Sequence, residues 1–248
     1  MHGSPFRAKI AQIRLLTREV REITFDLLAP ACLTVDAGQV MAIRIPATNS
    51  SGALTRYYSL ASPPGEVRSF SLLIRTQVHG SSAASIARWK EGDEVMGQGP
   101  LGTFRIPSAH RTPILFVATG TGIAPFKSWL FSRHQDSFPD PVTLLWGLRS
   151  ETDLYYHDEF QRLSKVRPNF RYHLALSNPG PGWSGLRGRV TAHVEALAQD
   201  RDVAVYLCGH SHMIAEVRRL LRARGHRHLY AGDHWPGTVV PESRNCSV

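Results

Sequence analysis

The chain has 248 residues, 42% of them apolar and 20% charged, which leaves room for one large or two ordinary globular domains and excludes a disordered polymer. Its formal net charge is +9, with 25 arginines among the 29 basic residues. These are spread along the chain and form no lysine- and arginine-rich tract, so nucleic acid is not expected as a partner.

In chain order, the opening "MHGSPFRAKIAQIRLL" lacks the ordered basic, apolar and cleavage segments of a signal peptide. The longest apolar runs, 114–118 and 142–147, are too short to cross a bilayer, so a cytoplasmic protein with no membrane span is expected. Up to about residue 107 the pattern predicts strands over 8–17, 18–28, 38–46, 56–62, 69–78 and 93–106, separated by Gly, Pro, Asn and Ser clusters. One short helix fits 81–89. Six strands with little helix predict a small closed antiparallel β-barrel, which leaves no exposed edges.

From Thr112 the rhythm changes. Apolar runs at 112–119, 141–148, 170–177 and 202–209 are each followed by a helical pattern, at 120–131, 150–163, 187–198 and 210–225. Four such units predict an α/β doubly wound parallel sheet. In the last helix Met213, Ile214, Val217, Leu220 and Leu221 form an apolar face, arginines fill the final turns, and Gly225 ends it. The expected organisation is thus a barrel domain over 1–107, a linker at 107–113, an α/β domain over 112–235 and a tail over 236–248.

Ligands of open parallel sheets sit at the carboxyl ends of strands. There "TGTGIAP" (119–125) offers Gly120, Thr121 and Gly122 before a helix, a turn that suits a pyrophosphate or merely reverses the chain. "CGHSHM" (208–213) places Cys208 and Gly209 at the same edge, although a buried free cysteine is an ordinary core residue. In the barrel half, "HGSSAAS" (79–85) brings Gly80, Ser81 and Ser82 to a helix start suited to phosphate, and "GQGPLGTF" (97–104) contributes Gly99, Pro100 and Gly102, which could be only a tight turn. "RYYSLAS" (56–62) sets a cation, an aromatic and a hydroxyl within four positions: Arg56, Tyr58 and Ser59. Two phosphate-shaped sites in two domains imply two phosphorylated ligands that meet at an interface. Cys32, Cys208 and Cys246 match no zinc or iron–sulfur spacing, so no metal is expected.

"RYYSLAS", "GPLGTF", "TGTGIAP" and "CGHSHM" together, in this order, resemble the ferredoxin–NADP reductase-type flavoproteins, over residues 6 to about 235. The resemblance implies an FAD-binding barrel followed by an NAD(P)-binding α/β domain. It implies that Arg56 reaches the flavin phosphates, Tyr58 lies on the isoalloxazine ring and Ser59 hydrogen-bonds near its N5. Gly120, Thr121 and Gly122 would hold the nicotinamide nucleotide, Cys208 and Gly209 would flank its ring, and Trp235 with Asp233 would match the family's terminal aromatic and acid. Ser59, Cys208 and Asp233 are then the residues nearest the chemistry. Two departures stand out: the chain continues past Trp235 with "PGTVVPESRNCSV", and His210 follows C-G where proline is frequent.

The resemblance thus implies a flavoprotein oxidoreductase that takes hydride from NADH or NADPH onto FAD and serves a separate electron acceptor. An acidic ferredoxin or flavodoxin, or an oxygenase component, suits the basic balance; free flavin and a non-catalytic regulatory module are the alternatives. Arg149 and Arg187 are candidate partners for a 2′-phosphate, but Glu151 and Asp153 lie close by in sequence and would repel it, so NADH is expected to serve at least as well as NADPH.

Overall fold

The computed structural model describes residues 3–46, 53–76, 81–105 (backbone only for 81–83), 112–132 and 141–232. Gly80, Asp233, Trp235, the tail and most of the expected linker lie outside the described residues.

The first part is a six-stranded antiparallel sheet in the order β5-β4-β8-β1-β2-β7. Its strands are β1 (Ser4–Leu15), β2 (Val20–Ala29), β4 (Val40–Pro46), β5 (Ala53–Ser59), β7 (Ser69–Arg75) and β8 (Glu94–Leu101). The sheet curls until its outer strands meet: just beyond β5, Leu60 bridges Leu72 of β7, and the Ala61 N–H donates to the Ser71 carbonyl at 2.8 Å. Two further short strands, β3 (Leu33–Val35) and β6 (Gly65–Val67), pair with each other. Alternation supplies the core, because inward residues such as Ile10, Ile23, Phe25, Ile43, Phe70 and Leu72 are essentially fully buried. Phe25 and Phe70 face each other across β2 and β7 and stack at 5.3 Å. Helix α1 (Ser81–Ala87) contributes Ile86 to this core.

The second part is a six-stranded parallel sheet in the order β12-β11-β10-β9-β13-β14. It comprises β9 (Ile114–Thr119), β10 (Val142–Leu148), β11 (Phe170–Leu176), β12 (Leu186–Arg187), β13 (Ala204–Cys208) and β14 (Leu229–Ala231). Its central strands are apolar on both faces because helices cover both. Ile114, Phe116 and Ala118 pack with α2 (Ala124–Leu130) and α3 (His157–Val166), while Leu115 and Val117 pack with α4 (Val194–Leu197) and α5 (Ser211–Ala223). The strand order reverses between β9 and β13, which opens a crevice at their carboxyl ends.

Three of the expected helices begin later than their patterns, the first because Gly120–Ile123 forms a 3₁₀ turn and α2 starts only at Ala124. Tyr156 adopts a left-handed conformation (φ 55°), so the chain after β10 makes a short 3₁₀ turn and α3 starts only at His157. Residues 186–187 pair with β11 as β12, leaving α4 a single turn.

Apolar residues of both parts share one cluster: Val20, Ala61, Leu73 and Phe104 of the barrel pack with Ile123, Ala124 and Phe126. Beside it lies an ionic group. Glu22 of β2 accepts from Arg14 Nε at 2.9 Å, and Lys127 Nζ of α2 stands 3.5 Å from its other oxygen. Burial alone would raise the Glu22 carboxyl, but Lys127 and Arg14 together hold it below its ordinary value of 4.5. A carboxyl lowered on folding contributes stability that is complete above its unfolded value and lost as pH falls through the folded one. Urea midpoints of the parent protein should therefore lose ground to those of Glu22→Gln as pH falls below 4.5; parallel curves for the two would disprove this.

Candidate functional site at the junction of barrel and parallel sheet

A cleft of about 1170 Å³ runs between the two parts and is lined from both sides. It exceeds the roughly 300–1,000 Å³ of a single small-ligand pocket. The barrel contributes Tyr58, Ser59, Leu73 and Arg75; the parallel sheet contributes the ends of β9, β10 and β13. All strands of this sheet pair in parallel, so their carboxyl ends all lie on this side.

Two loops make the crevice, and they are packed backbone against backbone. A Cβ on Gly122 would lie 2.3 Å from the Cys208 carbonyl oxygen, and one on Gly209 would lie 2.2 Å from Thr119 Oγ1. Thr119 Oγ1 also accepts from the His210 N–H at 2.9 Å, tying the end of β9 to the loop after β13. Glycine is required at 122 and 209 by this close approach. Gly120 differs: its φ is +53° and nothing would meet a Cβ within 4 Å, so its backbone is open to the cleft. The Gly120 carbonyl is fixed from the other side by buried Trp146 Nε1 at 3.1 Å. Cys208 is buried at the bottom of the crevice.

On the barrel wall, Tyr58 is half-buried against the core, and burial, partly offset by neighbouring Arg56, pushes its hydroxyl up to about 12. It stays a neutral aromatic surface across the physiological range. Arg56 lies two residues earlier on β5, exposed and outside the residues that line the cleft; its Nη1 reaches the Thr55 carbonyl at 3.3 Å, and it has no carboxylate partner among the described residues. Arg75 closes the wall and gives its Nε to Glu19 at 2.8 Å. Sequence reasoning missed Glu19 and Arg75 as cleft residues, since only the β2–β7 register (Val20 opposite Arg75) brings them together.

Of the residues singled out from sequence, Tyr58, Ser59, Gly120, Thr121, Gly122, Cys208 and Gly209 all line this cleft. Ser81 and Ser82 open α1. Arg187 is engaged elsewhere: one of its nitrogens donates to the carbonyls of Gly180, Pro181 and Trp183 at 2.9–3.1 Å. Arg149 lines the cleft just past β10, while Glu151 accepts from the Gly180 N–H at 2.8 Å and Asp153 caps the same turn through Ser150.

The site fits a flavin and a nicotinamide dinucleotide. An aromatic and a hydroxyl face an open glycine backbone across it, and the buried hydroxyl of Tyr155, another lining residue, lacks a hydrogen-bond partner among the described residues. Among those residues no group of three His, Cys, Asp or Glu could hold a metal, and no helix is long and apolar enough to cross a membrane.

Comparison with known proteins agrees with this geometry. Residues 7–106 match the oxidoreductase FAD-binding domain family and residues 116–219 the oxidoreductase NAD-binding domain family, so the class is that of oxidoreductases pairing these two domains. The chain is 33% identical over 229 residues to ferredoxin–NADP reductase B of Sorangium cellulosum, covering 90% of this chain and 93% of that protein. It is 30% identical over 226 residues to the toluate 1,2-dioxygenase electron transfer component of Pseudomonas putida, covering 89% of this chain but only 64% of that protein. The fold superposes on a ferredoxin NADP+ reductase from Neisseria gonorrhoeae, solved with bound FAD and NADP, with a TM-score of 0.79 at 20% identity, covering 92% of this chain and 98% of that one. The chain belongs to the ferredoxin–NADP reductase-type flavoprotein family and is an FAD-dependent NAD(P)H oxidoreductase.

Proposed function

We propose that the protein takes reducing equivalents from NADH, or no more readily from NADPH, onto FAD and delivers them to a separate, acidic protein acceptor, a ferredoxin, flavodoxin or oxygenase component. In this division residues 1–107 carry the FAD and 112–235 the dinucleotide. The observation that carries it is the convergence of Tyr58–Ser59 and of the two crevice loops on one cleft from opposite sides. Arg56 binds flavin phosphate, Tyr58 supports the ring and Ser59 serves its N5 region, a hydroxyl being able to donate or accept. Gly80, Ser81 and Ser82 hold a further phosphate, which favours FAD over FMN. Gly120, Thr121 and Gly122 bind the dinucleotide, and Cys208 with Gly209 flanks the nicotinamide; Asp233 and Trp235 complete the assignment. Bound flavin supplies the exchange between two-electron and one-electron chemistry, and the protein supplies alignment.

That NADH serves at least as well as NADPH is supported by the engagement of Arg187 with three carbonyls and by the acids beside Arg149. The separate acceptor is supported by the relatives, one named as the electron transfer component of a dioxygenase. Its acidity is supported by the formal net charge of +9. Steady-state turnover should show kcat/KM for NADH equal to or above that for NADPH, with an acidic ferredoxin reduced faster at low salt than at physiological salt, where the Debye length is about 8 Å. A strong NADPH preference would refute the nucleotide assignment, and its loss in Arg149→Ala would place the 2′-phosphate clamp there. Free FMN reduced far more efficiently than any ferredoxin, without salt dependence, would refute the acceptor.

A further inference from the structure

The ionic group beside the cleft joins the barrel to the helix that follows the nucleotide loop. Arg14 and Glu22 come from neighbouring strands β1 and β2, and Arg14 Nη2 lies 2.5 Å from Glu22 Oε2. Lys127 comes from α2, one helical turn beyond the Gly120–Ile123 turn. The side chains of Lys127 and Glu22 are only 15% and 13% exposed. Tyr156 completes the group: Lys127 Nζ sits 4.7 Å and Arg14 Cζ 5.5 Å from its ring centre. Tyr156 is also the one non-glycine residue with positive φ among the described residues. Such a backbone is unfavourable for a bulky side chain and persists where its surroundings fix it. Each part thus holds the other's charge or ring away from water, and removing Lys127 takes from Glu22 the cation that α2 contributes while Arg14, from the barrel itself, stays paired with it.

We propose that Arg14, Glu22, Lys127 and Tyr156 form a clasp that sets the spacing of the two cleft walls, with Lys127 a positioning residue for hydride transfer. The geometry supports this because each anchor adjoins a wall. Val20 at the start of β2 lines the cleft, α2 runs on directly from Gly120–Gly122, and Tyr155, next to Tyr156, lines it too. The step being positioned moves one hydrogen with its bonding electron pair from C4 of the dihydronicotinamide to N5 of the flavin; the C4–H bond breaks, an N–H bond forms, and NAD⁺ is left. Its rate depends steeply on the approach distance, and a misplacement of about 1 Å costs on the order of a hundredfold. The clasp rests on the reading that both ligands share this cleft.

The test is anaerobic stopped-flow reduction of the FAD-loaded protein by NADH, unlabelled and deuterated at the transferred position, for the parent, Lys127→Met and Lys127→Arg. Lys127→Met should keep its FAD, lose about tenfold or more in limiting reduction rate with under about threefold change in NADH dissociation constant, and show an altered isotope effect. Lys127→Arg should recover most of the rate. Should Lys127→Met not fold, Glu22→Gln is read in its place with the same expectations. An FAD-loaded variant with the parent's limiting rate and isotope effect would overturn the clasp. A parent protein whose flavin no nucleotide reduces would overturn the shared-cleft reading itself, and the clasp with it.

Discussion

The Gly122→Ala protein is expected to bind FAD normally and yet be reduced by nucleotide on the order of a hundredfold more slowly than the parent. The added methyl would stand 2.3 Å from the Cys208 carbonyl oxygen, and its nearest neighbours are all backbone atoms, so no side chain can swing aside. The two crevice loops must therefore part, moving the Thr119–His210 bond and the floor on which the nicotinamide is assigned. Overpacking of this kind costs about 1–3 kcal/mol, occasionally more. Thermal unfolding should show that loss, while flavin content is preserved because the barrel strands are untouched. Gly120→Ala is the internal comparison: nothing lies within 4 Å of its Cβ position, so it should cost about 1 kcal/mol, the ordinary penalty of left-handed backbone. Parent-like reduction kinetics in Gly122→Ala would show that the crevice loops do not hold the dinucleotide.

For Arg56→Ala the expected change is in flavin affinity, weaker by about ten- to a hundredfold, which corresponds to the roughly 1.5–3 kcal/mol of a hydrogen bond to a charged group. Arg56 makes little of its own structure: among the described residues its guanidinium reaches the neighbouring Thr55 carbonyl, at 3.3 Å, and no carboxylate. The stability of the apoprotein should accordingly stay within about 0.5 kcal/mol of the parent, as for most surface substitutions. Arg56→Lys should recover only part of the affinity, because an ammonium lacks the planar fork that suits phosphate. Titration of apoprotein with FAD, followed by flavin fluorescence, measures all three proteins; an unchanged dissociation constant in Arg56→Ala would remove Arg56 from the flavin site.

Much of this architecture could be read from periodicity. Apolar runs such as those of β9, β10 and β13 are legible because a strand buried on both faces has little choice of residue. β3 and β6 were not legible: three residues each carry too little alternation to stand out. The late start of α3 was hidden as well, since "DLYYHDEF" gives no local sign that Tyr156 turns left-handed; only its packing against Lys127 and Arg14 accounts for it. In the cleft, three of the four short motifs, "RYYSLAS", "TGTGIAP" and "CGHSHM", marked residues that meet, whereas no residue of "GPLGTF" lines it. The reason for two of the glycines was not visible, however. Gly122 reads in sequence as a phosphate-loop glycine and Gly209 as an edge glycine, yet close contact between two loops some ninety residues apart excludes a side chain at both, joined at Gly209 by a φ of +139°. The Glu19–Arg75 pair and the clasp are cross-element contacts of the same kind, set by register and by the seating of α2 on the barrel.

On the reading proposed above, one cleft brings a nicotinamide dinucleotide to a bound flavin. The most direct test is to purify the protein, identify the flavin released on denaturation, and then add NADH and NADPH separately to the holoprotein without oxygen while following the flavin absorbance. FAD at one equivalent per chain, bleached by NADH at least as fast as by NADPH, is the predicted result. A reconstituted protein that holds FMN or no flavin, or whose FAD stays oxidised with both nucleotides, would contradict it.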